Sequence, residues 1–237
     1  MMIENRTKRG LLTFLIAACS FMNTFMSNSV NLAIPSMAAE FNMSATDSSW
    51  IVSMFLLALA ALCIPFGRIS DLTSRRVIFL AGIACFTVTT FGTLLAWSAA
   101  SLLAFRLLSG VSAAMIFSSN TPIILDAFPR EQGGRALGYL VTGVYLGLAT
   151  GPVIGGLLTH AFGWRSIFII ATISEAIFFI GGLAVIPNTK KDTTHARRFS
   201  IARFDPAGSL VLTAAIVCLM VGFSTFTQSL ISKLLII

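Results

Sequence analysis

Gly143 to Gly156 reads GVYLGLATGPVIGG, inside a run from Leu137 to Leu158 that holds no charged residue. A run of that length and polarity meets the roughly 20 residues a helix needs to cross the hydrocarbon core of a bilayer. Gly143, Gly147, Gly151 and Gly155 recur every four residues, so on a helix they form one slowly drifting seam. Glycine there removes side chains and lets another helix come close, the logic of small-residue packing in lipid. Pro152 removes one backbone hydrogen bond and bends the helix, with Gly151 beside it offering little resistance. Gly156 closes the stretch. Two readings stand: a static packing seam, or a smooth, kinked face for an interface that slides or rocks.

The rest of the composition agrees with lipid as the solvent. The 237 residues are 56% hydrophobic and 11% charged, roughly half the charged share of a soluble domain. The net charge is +7, but the basic residues cluster between apolar runs. That pattern speaks for topology control and anionic headgroups, and against nucleic acid as a partner. Cys19, Cys63, Cys85 and Cys218 each lie alone in an apolar run, with no disulfide or metal spacing. His160 and His195 sit far apart and read as loop residues. No metal cluster and no nucleophile–base set is visible, so an enzyme is not expected.

Seven segments reach spanning length: 11–34, 50–67, 77–97, 101–125, 136–158, 166–186 and 207–227. Asp47-Ser48-Ser49 is the expected cap of the second helix, and Pro206 opens the seventh in the favoured first-turn position. Ile16-Ala17-Ala18-Cys19 looks like a lipoprotein cleavage box, but the apolar stretch runs on to Pro35, too long for a signal core. The expectation is an uncleaved first membrane helix. Thirteen of the 16 Lys and Arg fall on one side of this topology, which places the N-terminus in the cytoplasm. The chain then divides into a cytoplasmic N-terminus (1–10), a six-helix lobe (11–187), a basic cytoplasmic linker (188–205) and a seventh helix (206–237). The chain stops within a new apolar start after Phe226, so a truncated polytopic protein is expected.

Four features carry chemistry. Gly67 to Arg76 reads GRISDLTSRR, a short loop in which Asp71 and Arg75 are four apart and can pair across a helical turn. The plain alternative is a loop that obeys the charge rule. Arg106 lies inside the fourth span, where a charge costs at least about 2.5 kcal/mol at the centre. It either snorkels to the outer surface or stands in a polar cavity, steadying an acid or holding an anion. Ser20, Thr24, Ser27, Asn28 and Asn31 give the first helix a polar face. That face lines a cavity, with Thr24, Asn28 and Asn31 toward substrate, or it hydrogen-bonds neighbouring helices. Glu175 is the carboxylate near the middle of a span, costly there when ionised without a cationic partner. It is the candidate proton carrier, with Arg106; a pore-edge or permanently neutral Glu175 is the alternative.

At these points the chain resembles the major facilitator superfamily. Gly67 to Arg76 is similar to its loop motif G-x-x-x-D-R-x-G-R-R, and Arg106 with Gly110 to its fourth-helix R-x-x-x-G. Gly143 to Gly156 resembles the fifth-helix motif of the antiporter branch, ending G-P-x-x-G-G. Trp164-Arg165-Ser166-Ile167-Phe168 resembles the opening of the sixth helix. Phe204-Asp205-Pro206-Ala207-Gly208 resembles the start of the extra helix in fourteen-helix drug exporters. The resemblance implies an all-α membrane protein: the N-terminal six-helix bundle of that fold plus one extra transmembrane helix. It implies a cytoplasmic clasp built on Asp71 and Arg75, with Gly67 and Arg76 in the motif and Asp126 as acidic partner.

Three departures from the family pattern bear on mechanism. Leu72 replaces a basic residue and Ser74 a glycine, which implies a weaker clasp. Phe25 to Pro35 resembles the first-helix pattern L-D-x-T-x-x-N-x-A-L-P, with Met26 at the acidic position and Asn28 at the threonine. The first-helix carboxylate is therefore missing, and Glu175 is expected to substitute for it. The implied function is proton-coupled efflux of amphipathic or cationic drugs across the cell membrane. The expected partners are a small-molecule substrate, lipids and a missing C-terminal half, with a proton gradient and no cofactor as the driving force. The alternatives are a non-transporting truncated membrane protein and a metabolite transporter of the same superfamily.

Overall fold

The computed structural model describes residues 6–186 and 206–234. Helix α1 spans Arg6–Glu40, α2 Ala45–Leu72, α3 Arg75–Leu94, α4 Ala99–Ala127, α5 Gly133–Phe162, α6 Arg165–Val185 and α7 Pro206–Leu234. A 3-10 turn, Arg130–Gln132, leads into α5. Helices α1 to α6 are long and apolar enough to cross a membrane, and the described side chains of α7 add a shorter apolar stretch, Ala207–Gly222. Each expected segment falls on one of these helices. The basic linker 188–205, with His195, lies outside the described residues.

Local chemistry sets the helix ends, and it corrects three expectations. The first span does not stop at residue 34: α1 carries Pro35 inside it and continues to Glu40. Proline is tolerated inside membrane helices because neighbouring groups re-satisfy the freed carbonyl. The helix ends where Asn42 turns to φ 50° and the Met43 N–H returns to the Ala38 carbonyl at 2.9 Å, a left-handed C-terminal stop that asparagine tolerates. The cap of α2 is Ser44 rather than Asp47-Ser48-Ser49: its extended backbone lets its Oγ accept from Asp47 N–H at 3.1 Å. His160 is in the last turn of α5, not in a loop. Gly163, at φ 80°, then ends that helix. Ser98 and Ser101 form a reciprocal capping box on α4. Pro206 opens α7 as expected.

Helix α1 is the hub, packed mainly against α5 and also against α6; α2 lies on α4, and α3 on α4 and α6. Helix α7 rests on α2, where the Thr213 hydroxyl donates to the Ala61 carbonyl at 3.1 Å. Ile16 and Met26 of α1, Phe79, Ile83 and Phe86 of α3, Ile116 of α4 and Phe168 of α6 are fully buried. Outward, Phe14, Val88, Leu157 and Ile180 are about two-thirds exposed or more, at 70%, 67%, 67% and 68%. An exterior that apolar would aggregate in water and is ordinary against lipid tails. In lipid, close packing and interhelical hydrogen bonds must hold the bundle, because burial from water contributes little.

Candidate functional site

The connections put the α2–α3 loop, the start of α1, the α4–α5 turn and the end of α6 at one end of the bundle, the basic end. There the Arg75 guanidinium gathers both expected acids. Its Nε and Nη2 donate to Asp71 Oδ1 at 3.1 and 2.8 Å, and its Nη1 donates to Asp126 Oδ2. Arg76 Nη2 donates to the Leu183 carbonyl of α6 at 3.0 Å. The clasp therefore ties α2, α3, α4 and α6 together. Ser74, where the resemblance has glycine, sits at φ −151° and ψ 121°, extended backbone that any residue adopts. Its substitution leaves the loop unstrained. At Gly67 a Cβ would stand 3.8 Å from Ser118, an ordinary contact.

The glycine seam of α5 faces α1. A Cβ at Gly143 would come 2.5 Å from the Ala17 carbonyl oxygen, and one at Gly147 2.5 Å from that of Phe21. A Cβ at Gly151 would be 2.9 Å from Asn28 Cβ, and one at Gly155 would overlap Ser29. The Ser29 hydroxyl donates to the Gly151 carbonyl at 2.9 Å. All four seam glycines are buried, whereas Pro152 is exposed and Gly156 half-buried. So the seam is a packing surface inside the lobe, between α5 and α1. The outward face of α5 beside Pro152 carries the exposed side chains of Tyr145 and Val153.

Toward the basic end the two helices part. The opening is a cavity of about 1110 Å³ whose apex lies at Phe21 and Leu146 and whose mouth holds Arg9, Gln132 and Arg135. Phe14, Phe21, Phe128 and Leu146 give it apolar walls, and Thr13, Tyr139 and Thr142 give it polar points. The α1 stripe that starts there continues past the apex through Thr24, Asn28 and Asn31 at helical spacing. Thr24 and Asn28 are half-buried beside the seam, and each bonds a carbonyl one turn back, at 2.8 and 2.9 Å. Asn31 is exposed. Ser20 instead turns into the lobe, where Asn120 Nδ2 donates to it at 2.8 Å. The polar residues of α1 thus divide between an open stripe and helix–helix bonding.

The two proton-coupling candidates lie apart, each with its own partners. Arg106 is fully buried, so it does not snorkel. Its Nε donates to the Ile51 carbonyl at 3.1 Å and its guanidinium lies 4.7 Å over the Phe55 ring. Among the described residues Nη1 and Nη2 have no hydrogen-bond partner. Gly110, one turn on, explains the approach: a Cβ there would collide with the Phe55 carbonyl, so glycine lets α2 close on α4. Glu175 is also fully buried. It accepts from Asn23 Nδ2 at 2.8 Å and from the Cys19 thiol at 3.5 Å, both across the α1–α6 contact. Among the described residues Asn23 Oδ1 has no hydrogen-bond partner. An amide can serve both protonation states of a carboxyl: its NH₂ donates to the carboxylate, and its oxygen, after a flip, accepts from the acid.

At the opposite end is a cluster that sequence reasoning did not find. Arg165 donates to Glu40 through Nη1 at 2.8 Å and Nη2 at 2.6 Å, and through Nε to the Leu94 carbonyl at 3.3 Å. Trp164 Nε1 donates to the same carboxylate at 2.8 Å. Phe41 and Phe168 meet the Trp164 ring edge-on. The Trp-Arg pair was visible in the sequence; Glu40 was not, because the span was closed at Pro35.

Residues 14–235 match the family description Major Facilitator Superfamily. The chain is 30% identical over 207 residues to the tetracenomycin C resistance and export protein of Streptomyces glaucescens, covering 87% of this chain and 37% of that protein. It is 30% identical to the cephamycin export protein CmcT of Amycolatopsis lactamdurans, over 90% of this chain and 43% of that one. Against the riboflavin transporter RibZ of Clostridioides difficile the identity is 28%, over 78% and 41%. The chain thus spans less than half the length of these relatives. Among solved structures, an inward-facing, unoccupied bacterial homolog of the human lysosomal transporter Spinster superposes with a TM-score of 0.69 at 19% identity, over 78% of this chain and 44% of that one.

Proposed function

Since this multi-pass membrane chain belongs to the major facilitator superfamily, we propose that it forms the N-terminal lobe of a transporter that exports amphipathic small molecules from the cytoplasm. The observation that carries this is the cavity between α1 and α5, apolar along its walls and open at the basic end. Its size is that of a small-molecule site. Relatives named for export of tetracenomycin C and cephamycin support efflux. One named for riboflavin keeps a metabolite in view as the second reading. The basic end is cytoplasmic by the positive-inside rule, so the N-terminus is too. A second half of the protein completes the cavity, and the two halves rock around it.

Protons supply the driving force, with no cofactor. Glu175 carries the proton in place of the first-helix acid, where Met26 stands, and Asn23 serves it in both states by turning its amide. Arg106 adds a fixed positive charge to the lobe interior. Asp71, Arg75, Arg76 and Asp126 hold the cytoplasmic end in shape and open when the lobe changes state.

The test is export by everted vesicles from cells expressing the gene in its full genomic frame. With an imposed inside-acid gradient, a fluorescent amphipathic dye should accumulate, and collapse of the gradient should release it. Dye movement indifferent to both the gene and the gradient would remove the reading.

A further inference from the structure

Resting on that transporter reading, we infer that α7 is a working part of the lobe: Thr213 holds the turn of α2 that Pro65 opens, and so acts as a positioning residue for Asp71 in the clasp. Pro65 lies inside α2 and is buried. Proline has no N–H, so the carbonyl four residues back, that of Ala61, loses its helical partner. The same carbonyl receives the Thr213 hydroxyl, at 3.1 Å. Ala61 is buried, and a carbonyl left unpaired in lipid is costly because no water replaces the lost N–H. Threonines elsewhere in the bundle bond within their own helix: Thr142, Thr150 and Thr172 each donate to the carbonyl four residues back. Thr213 instead reaches across to the neighbouring helix, at the turn its proline has broken.

The rest of α7 keeps this register. Ser209, Thr213, Ile216, Val217 and Met220 are half-buried, and their spacing puts them on one face of the helix. Leu210, Val211 and Leu219, off that face, are exposed. Helix α7 therefore meets α2 along a defined stripe with the Thr213 hydroxyl aimed at the opened turn. A proline turn is where a helix bends, since the ring also crowds the freed carbonyl. Beyond it α2 runs on to Leu72 and carries Asp71 in its last turn, about 9 Å further along the axis. A change of about 15° at the turn moves Asp71 by roughly 2–3 Å, enough to part a hydrogen bond. That residue accepts from Arg75 at 2.8 Å. The Ser70 and Ser119 hydroxyls, 3.2 Å apart, tie the same segment to α4. The segment is thus held at its root by α7 and at its tip by α4 and the clasp.

The experiment is a double-mutant cycle on the protein expressed from its full genomic frame. Hydrogen exchange over 62–76 is read by mass spectrometry in detergent, and export of a fluorescent amphipathic dye is read in everted vesicles. Thr213→Val keeps the side-chain shape and removes the hydroxyl. It should speed exchange about tenfold and lower the maximal export rate about fivefold at unchanged half-saturation, because Thr213 lies outside the α1–α5 cavity. Thr213→Ser should restore both. Pro65→Ala returns an N–H to the Ala61 carbonyl, so adding Thr213→Val to that variant should leave exchange where it was. Three results overturn the inference: a valine variant that matches the parent, a loss that serine does not repair, or a valine effect just as large beside Pro65→Ala. Faster exchange with unchanged export overturns it too, since the clasp would then not depend on α7. Any of these in a protein that exports the dye leaves the transporter reading standing. A parent that exports no dye removes that reading, and the exchange cycle still decides whether Thr213 holds the turn.

Discussion

Arg75, the first residue of α3, bonds Asp71 at the end of α2 and Asp126 at the end of α4 with the same guanidinium. Both pairs are partly open to water, with the Arg75 side chain 34% exposed and that of Asp126 43%. Solvent screens such pairs, so each adds about 1 kcal/mol or less to stability. Their value lies in joining helices. A double-mutant cycle with Arg75→Gln and Asp126→Asn, read by thermal unfolding in detergent, should give a coupling energy of a few tenths to about 1 kcal/mol. Purely additive effects would show that the bond contributes nothing across the helices.

The seam of α5 makes a prediction by contrast. Gly147→Ala places a methyl against the Phe21 carbonyl, and overpacking of this kind costs roughly 1–3 kcal/mol. Gly138→Ala meets open space and gains the better helix propensity of alanine, up to about 1 kcal/mol. The two melting temperatures should move in opposite directions. Gly147→Leu and Gly151→Leu should also abolish export by the intact carrier; unchanged export in both would mean that the α1–α5 contact is dispensable.

Arg106 should separate stability from activity. Its two terminal nitrogens are buried without partners among the described residues, and replacing poorly compensated buried charge with apolar side chains is often neutral or stabilising, by roughly 1–4 kcal/mol. Arg106→Met should therefore melt no lower than the parent while gradient-driven export falls at least tenfold. A variant that both melts lower and transports normally contradicts the assignment.

Glu175→Gln keeps an oxygen that can accept from Asn23 and removes the titrating proton. The variant should fold and bind substrate, and it should lose proton-driven export while facilitated exchange persists. Export that still follows the pH gradient would take the proton away from Glu175.

How much of this was legible beforehand follows residue distance. The Asp71–Arg75 pair is four apart and was readable from helical spacing; Asp126 came only from the family resemblance, since nothing local joins positions 51 apart. Glu175 was conspicuous as a mid-span carboxylate, yet its amide partner Asn23 is 152 residues away and was absent from the expected polar face. The four-residue glycine period announced a close contact without saying which helix would fill it. Pro35 misled, because a proline that ends helices in water can sit inside one in lipid. That misreading hid the last turn of α1, and with it Glu40.

Glu40 has the larger consequence. It fixes α1, α3 and α6 to one another at the rim farthest from the clasp, through Arg165 and Trp164. A bundle riveted at both rims swings like the leaf of a door. Force applied to one edge reaches the other as a tilt, not as bending of single helices. Motion against a neighbouring body would then be taken up outside the lobe, because the α1–α5 contact within it is packed close as well.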